Sequence, residues 1–132
     1  MLEEKLSLHG KTVVITGGGT GLGREMSLSM ARAGADLVVA SRRTGPIDEV
    51  VEMARELGRR AIAVSTDVTD SAQVNRLMER ALDEFGQVDV LFNNAGIVRG
   101  QGATPIWDIT DEEWRVGIDT NMSSAFYCSR AI

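Results

Sequence analysis

Short apolar runs alternate along this chain with segments in which apolar residues recur at helical spacing. The runs are rich in Val and Ile and apolar at most positions, which is typical of parallel strands covered on both faces. They predict strands at Thr12–Thr16, Asp36–Ala40, Ala61–Thr66 and Val88–Phe92. Strands that alternate with helices form βαβ units, which build one twisted parallel sheet with helices on both faces. The sequence therefore predicts an α/β fold of the doubly wound class.

Capping signals and glycines mark the ends of the helices. The predicted helices run over Leu22–Ala33, from Pro46 to a closing Gly58, from Asp70 to a closing Gly86, and from Thr110 to the last residue. Pro46 is predicted at the first helical position, where its missing N–H has no partner to lose. Thr110 and Glu113 have the spacing of a capping box, in which each side chain bonds a free backbone N–H of the other residue.

Composition excludes several classes of function. The chain has 132 residues, the length of one domain, and a formal net charge of −5, which argues against a nucleic-acid or anionic-membrane partner. No apolar run approaches the length of a membrane span, and the first residues lack the apolar region of a signal sequence. A single cysteine, Cys128, excludes an intramolecular disulfide and a cysteine zinc cluster, and with His9 as the one histidine no metal site is predicted. These features favour a reducing, cytoplasmic setting.

A glycine-rich turn with the sequence TGGGTGLG, Thr16–Gly23, directly follows the first predicted strand and precedes a helix. Such a turn directs free N–H groups and the positive end of the helix at one point, which suits a diphosphate. The turn has neither the G-x-G-x-x-G spacing of the general dinucleotide motif nor the Lys and Ser/Thr of a P-loop. Its spacing is G-x-x-x-G-x-G, formed by Gly17, Gly21 and Gly23.

This turn and three later motifs resemble, in the same order, those of the short-chain dehydrogenase/reductase family. The later motifs are Asp67-Val68, Asn93-Asn94-Ala95-Gly96 and Asn121. The resemblance covers essentially the whole chain and implies a single Rossmann-like, NAD(P)-binding domain over residues 1–132. With the arginines considered below, the residues predicted to bind the cofactor are Gly17, Thr20, Gly21, Leu22, Gly23, Ser41, Arg42, Arg43, Asp67, Val68, Asn93, Ala95 and Gly96.

Two of these motifs have alternative interpretations. Asp67 lies just past the end of a strand, where open α/β sheets bind ligands, and the resemblance implies that its carboxylate accepts from an adenine amino group. The alternative is an N-terminal cap for the following helix. Asn93 and Asn94 are residues that favour turns, whereas the resemblance makes their motif both a brace of the sheet and part of the nicotinamide-side wall.

The end of the second predicted strand indicates which cofactor is bound. An NAD-preferring site has Asp or Glu there, about 20 residues beyond the glycine turn, to bond the ribose 2′-hydroxyl. This sequence has Ser41, Arg42 and Arg43 instead. Guanidinium groups form charge-assisted bonds with phosphate, so NADP is predicted rather than NAD. The alternative is that both arginines are solvated surface charges.

The residues that would donate a proton to the substrate are missing. The family uses a Tyr-x-x-x-Lys pair and a preceding serine, but Tyr127 is followed four residues later by Ala131, and the lysines, Lys5 and Lys11, precede the glycine turn. The resemblance leaves Asn121 as the catalytic candidate, since the family's asparagine orders a water in a proton relay. The alternative is a helix-distorting side chain bonded to local backbone. We therefore expect the chain to stop short of the catalytic segment and to be inactive alone.

The fourth predicted strand, Val88–Phe92, would form an edge of the sheet, with backbone groups free to pair with another chain. We therefore expect the polypeptide to self-associate, to swap elements or to be part of something longer, and the resemblance implies a homo-oligomer. The predicted function is an NADP-dependent oxidoreductase that moves a hydride between NADP(H) and a carbonyl or secondary alcohol, represented by its cofactor-binding half. The alternatives are a non-catalytic dinucleotide-binding module and an unrelated doubly wound binding domain.

Overall fold

A computed structural model describes residues 2–97 and 104–132 of the chain. In the first range, a short helix α1 (Leu2–Lys5) precedes alternating strands and helices: β1 (Thr12–Thr16), α2 (Gly21–Arg32), β2 (Asp36–Ser41), α3 (Thr44–Glu56), β3 (Ala61–Ser65), α4 (Ser71–Phe85) and β4 (Val90–Phe92). In the second, a 3₁₀ turn (Ile106–Asp108) precedes a long helix made of α5 (Asp111–Ile118), a π-helical segment (Asp119–Ser123) and α6 (Ser124–Ala131).

The strands of the described residues form one parallel sheet in the order β3-β2-β1-β4. The central strand is β1, in which Val14 is in register with Val38 of β2 and Leu91 of β4. This order is that of the first strands of a doubly wound sheet, so the predicted α/β fold is confirmed. Because the strands are parallel, their carboxyl ends meet at one edge of the sheet.

The core lies on both faces of this sheet. On one face, Val13 and Ile15 of β1 belong to a buried cluster that includes side chains of α2 and α3. On the other, Val14 packs with side chains of α4 and with Cys128 of α6. Successive β1 residues therefore enter opposite cores, which explains why this strand is apolar at consecutive positions. Burial raises the pKa of the Cys128 thiol, in keeping with a small apolar filler.

The fourth strand is shorter than predicted. It begins at Val90 rather than Val88, because the carboxylate of Asp89 takes over the role of a backbone acceptor. Asp89 Oδ2 accepts from the N–H of Thr12 at 2.8 Å, and Asp89 Oδ1 accepts from Lys11 Nζ at 3.2 Å. The Asp89 N–H still donates to the Thr12 carbonyl at 2.9 Å, so backbone pairing reaches one residue before β4 and the Asp89 carboxylate takes the place of the next backbone acceptor.

Two helix predictions need correction, and two are confirmed. Pro46 is the third residue of α3, not the first, and it is tolerated there because the first N–H groups of a helix have no partner within it. The last helix does not run uninterrupted, since the π-helical segment separates α5 from α6. Asp70 caps α4 and left-handed Gly86 ends it, and the predicted capping box between Thr110 and Glu113 is formed in both directions.

Among residues 2–97 and 104–132, no helix combines the length and the apolar character needed to cross a membrane.

Candidate functional site

A cleft of about 590 Å³ opens at the carboxyl ends of the strands. Four strand-end loops and one face of the last helix line it, through Gly17, Gly19, Thr20, Ser41, Arg42, Arg43, Pro46, Thr66, Asp67, Val68, Thr69, Ala95, Gly96, Ile97, Val116, Asp119 and Thr120. This is the position at which open α/β sheets bind ligands. The cleft brings together nine of the predicted cofactor residues, namely Gly17, Thr20, Ser41, Arg42, Arg43, Asp67, Val68, Ala95 and Gly96.

The glycine turn needs its glycines for two different reasons. Gly17 and Gly21 have φ values of +64° and +53°, in the left-handed region that favours glycine. Gly23 needs space instead: a Cβ there would collide with the carbonyl oxygen of Gly17 and would lie 2.5 Å from Asn94 Nδ2. The turn and the start of α2 are therefore packed backbone to backbone at Gly23, where only a glycine fits.

Helix α2 begins at this turn, and no side chain caps its N-terminus. Thr20, the N-cap residue, has an extended backbone and no side-chain hydrogen bond to the first turn of the helix. The first turn also carries no acidic residue. Its free N–H groups and the helix dipole therefore present positive electrostatic potential beside the cleft.

Thr16 and Asn94 tie the glycine turn to the loop after β4. The buried hydroxyl oxygen of Thr16 accepts from the N–H groups of Asn94 at 3.2 Å and Ala95 at 3.0 Å. In return, Asn94 Nδ2 donates to the carbonyls of Thr16 at 3.2 Å and Gly17 at 3.0 Å. The bracing role predicted for the Asn93–Gly96 motif thus has a structural basis in Asn94.

Asp67 carries a negative charge on the wall formed by the loop after β3. Its Oδ1 accepts from the hydroxyl of Thr69 at 2.7 Å and from the N–H of Thr69 at 2.9 Å. These bonds, joined by the positive charge of Arg42, hold the pKa of the Asp67 carboxyl below its ordinary value. The alternative that Asp67 caps the following helix is wrong, because Asp70 accepts from the N–H groups of Ala72 and Gln73 and fills that role.

Some predicted residues lie outside the wall of the cleft. Gly21, Leu22 and Gly23 form the first turn of α2, and the Leu22 side chain is 78% exposed. Asn93 directs its amide elsewhere: Nδ2 donates to the hydroxyl oxygen of Ser129 in α6 at 3.3 Å. Asn121 lines a second, more apolar cavity of about 370 Å³, together with Ile109, Trp114, Ile118 and Met122.

Asn121 connects the π-helical segment to the loop after β4. Its Oδ1 accepts from the N–H of Ile97 at 2.8 Å, and its Nδ2 donates to the carbonyl of Ile97 at 3.1 Å. The helix is distorted at Asn121, as one interpretation predicted, but the side chain bonds a distant backbone rather than a local one. Gly96 leaves room for this contact, since a Cβ there would lie 2.6 Å from Asn121 Oδ1.

Sequence reasoning missed one wall of the cleft. Val116, Asp119 and Thr120 form a stripe on the last helix that faces the ligand space. Their spacing is compatible with one helix face, but nothing in the sequence indicates which face of that helix meets the sheet edge. Thr69 was also missed, although its position two residues after an aspartate is a known signal for a turn closed by a side chain.

Comparisons with known proteins agree with this geometry. The chain matches the family model described as short chain dehydrogenase over residues 11–132. It is 36% identical over 131 residues to 2-dehydro-3-deoxy-D-gluconate 5-dehydrogenase of Escherichia coli K12, covering 99% of this chain and 50% of that protein. It is also 36% identical over 135 residues to the NADP-dependent mannitol dehydrogenase of Alternaria alternata, covering 99% of this chain and 50% of that protein.

The fold is shared with solved structures of similar sequence. A 7α-hydroxysteroid dehydrogenase complexed with NADH and 7-oxo glycochenodeoxycholic acid superposes with a TM-score of 0.88 at 35% identity, covering 96% of this chain and 48% of that one. The chain thus spans about half the length of the curated relatives and of this structural neighbour.

Proposed function

Because the chain belongs to the short-chain dehydrogenase family over residues 11–132, we propose that these residues form the NADP-binding domain of an oxidoreductase. The complete enzyme would transfer a hydride between NADP(H) and a carbonyl or secondary alcohol. The observation that carries this proposal is the cleft itself, which is lined by the glycine turn before an uncapped helix N-terminus and, on the loop after β2, by two arginines.

The residues of the cleft suit the parts of a dinucleotide. The turn from Gly17 to Gly23 offers N–H groups to the diphosphate, and a side chain at Gly23 would disrupt that turn. The Asp67 carboxylate, held ionised by Thr69, is an acceptor for the adenine amino group. Ala95 and Gly96, on the loop after β4, line the cleft at the other end of the sheet, where the nicotinamide would lie. When bound, the reduced cofactor supplies a hydride.

Preference for NADP rests on Arg42 and Arg43. Both line the cleft just after β2, where an NAD-preferring site has a carboxylate. Ser41, which stands at this strand end instead of Asp or Glu, adds no negative charge that would repel a 2′-phosphate. The proteins similar to this chain include both an NADP-dependent enzyme and one solved in complex with NADH, so the family alone does not favour either cofactor.

A titration of NADPH against NADH tests this proposal. Wild-type protein should bind NADPH more tightly. Arg42→Ala should weaken NADPH binding about ten- to hundred-fold, the range of a lost charge-assisted bond, while changing NADH binding about two-fold or less. Arg80→Ala, on the exposed side of α4, is the matched control and should leave both affinities unchanged. A wild-type preference for NADH would overturn the assignment.

The 132 residues lack the proton donor that hydride transfer to a carbonyl requires. Tyr127 has no lysine four residues later, and Tyr127 packs against the core next to α4. The polypeptide is therefore proposed to bind NADPH without oxidising it when offered a panel of carbonyl compounds. Turnover by this polypeptide would contradict that proposal, and binding without turnover is also what a non-catalytic dinucleotide-binding module would give.

We propose that Asn121 holds the loop at Ile97 against the last helix.

Self-association of this polypeptide is proposed from its apolar surface. Among the described residues, β4 has a strand partner on one side only, and Phe92 is 38% exposed. Trp114, Met122 and Phe126 on the last helix are more than half exposed. Sedimentation should show species larger than a monomer, and a sharp monomer with reversible two-state melting would overturn this proposal. Cys128 as the single, buried cysteine is in keeping with the proposed cytoplasmic setting.

A further inference from the structure

Two serines in register at the ends of neighbouring strands hold the backbone that carries the arginine pair. Ser41 of β2 and Ser65 of β3 are paired across the sheet. Ser41 Oγ donates to the carbonyl of Arg43 at 2.9 Å, within the same loop. Ser65 Oγ donates to the carbonyl of Arg42 at 3.2 Å, across 23 residues of chain. The bond from Ser65 is therefore a tie between two separate loops.

This tie joins the two loops that a bound adenosine 2′-phosphate would have to bridge. Arg42 lies on the loop after β2, and Asp67 lies two residues beyond Ser65 on the loop after β3. Both side chains line the cleft, and the positive charge of Arg42 helps to lower the pKa of the Asp67 carboxyl. Since adenine and the 2′-phosphate are attached to the same ribose, the spacing between their two binding groups must match one rigid unit.

The exposed side chain of Arg42 is held by few contacts of its own. Among the described residues, no hydrogen bond or ion pair of the Arg42 guanidinium is formed, so its position depends on where its backbone is held. A serine hydroxyl that bonds the Arg42 carbonyl limits the movement of that backbone relative to β3. This lowers the ordering cost that phosphate binding would otherwise include.

We propose that Ser65 is a positioning residue for NADP selectivity, acting through the Arg42 backbone to hold the arginine at the correct distance from Asp67. This inference rests on the proposed function, in which Arg42 binds the 2′-phosphate. In this proposal, Ser65 does not itself bind the cofactor. Its contribution should therefore appear for the phosphorylated cofactor and vanish when Arg42 is absent.

A double-mutant cycle with NADPH and NADH as probes tests the proposal. Ser65→Ala should weaken NADPH binding about three- to ten-fold, the range of one hydrogen bond, and NADH binding less than about two-fold. Ser65→Thr keeps the hydroxyl and should retain NADPH affinity within about two-fold. In the Arg42→Ala background, Ser65→Ala should have no further effect on NADPH. Thermal melting of each variant reports whether the fold is intact.

The outcomes separate this inference from the proposed function. If Arg42→Ala abolishes the NADPH preference while Ser65→Ala leaves it intact, or weakens both cofactors equally, the positioning role is wrong and the NADP assignment stands. If the Ser65 effect persists without Arg42, Ser65 acts by another route and the inference is likewise overturned. If Arg42→Ala leaves an NADPH preference unchanged, the role of Arg42 and the inference fail while the NADP assignment stands, and a wild-type preference for NADH overturns both.

Discussion

The side-chain amide of Asn121 forms hydrogen bonds with both backbone groups of Ile97, accepting from its N–H at 2.8 Å and donating to its carbonyl at 3.1 Å. These two hydrogen bonds hold the loop after β4 against the helix within its π-helical segment. The Asn121 amide thus forms the same pair of hydrogen bonds with Ile97 that a residue of a neighbouring strand would form. The contact therefore positions Ile97, which lines both the cleft and the apolar cavity.

Asn121→Ala should lower the free energy of unfolding by about 1–2 kcal/mol, because two net hydrogen bonds are lost at an exposed site. The amide hydrogen of Ile97 should exchange faster in the variant. Asn121→Asp can accept from that N–H but cannot donate to the carbonyl, so an intermediate exchange rate is expected. Arg115→Ala, exposed on the same helix, is the control. An unchanged exchange rate at Ile97 in Asn121→Ala would refute the contact.

Gly23→Ala should destabilise the fold by at least about 2 kcal/mol, because the new Cβ meets the carbonyl of Gly17. It should also abolish measurable NADPH binding, since the collision displaces the turn. Gly117→Ala is the matched control: apart from the chain neighbours and the backbone of its own helix, no atom of the described residues lies within 4 Å of a Cβ built there, and alanine favours the helix. That control should gain about 0.5–1 kcal/mol in urea unfolding. Equal effects of the two substitutions would contradict the packing argument.

Thr16→Val should cost about 1–3 kcal/mol, because the half-buried N–H of Ala95 loses its acceptor, the buried Thr16 hydroxyl. Valine has the shape of threonine without its hydroxyl, so packing changes little. Thr16→Ser keeps the oxygen and should recover most of the loss. Denaturant unfolding of the three proteins measures the difference, and the prediction fails if serine is no better than valine.

Stability should fall in acid partly through Asp89. The hydrogen bond from the Thr12 N–H, together with Lys11, holds the pKa of the Asp89 carboxyl below its ordinary value of 3.8. Because this pKa is lower in the folded protein, the ionised Asp89 carboxylate contributes its full stabilisation of the fold above the ordinary pKa. That stabilisation is lost as pH falls through the lower pKa of the folded protein. Asp89→Asn should therefore show a shallower loss of unfolding free energy below about pH 4. Parallel profiles for both proteins would argue against this role.

Local chemistry determined most of the fold and much of the site. Continuous apolar runs predicted β1 and β2 because residues covered on both faces must be apolar at every position. The caps at Asp70 and Thr110 and the helix end at Gly86 follow from hydrogen bonds and φ values within a few residues. The placement of the glycine turn, the arginine pair and Asp67 around one cleft followed from their positions at strand ends.

Tertiary structure alone decided the contacts between segments that are distant in sequence. The bond from Ser65 to the Arg42 carbonyl exists because β2 and β3 are neighbours in register. The bond between Asn121 and Ile97, and the face that the last helix turns toward the cleft, depend on how that helix crosses the end of the sheet. Such contacts leave no local signal, because each partner alone is an ordinary turn or helix residue, and only the assembled sheet brings the two together.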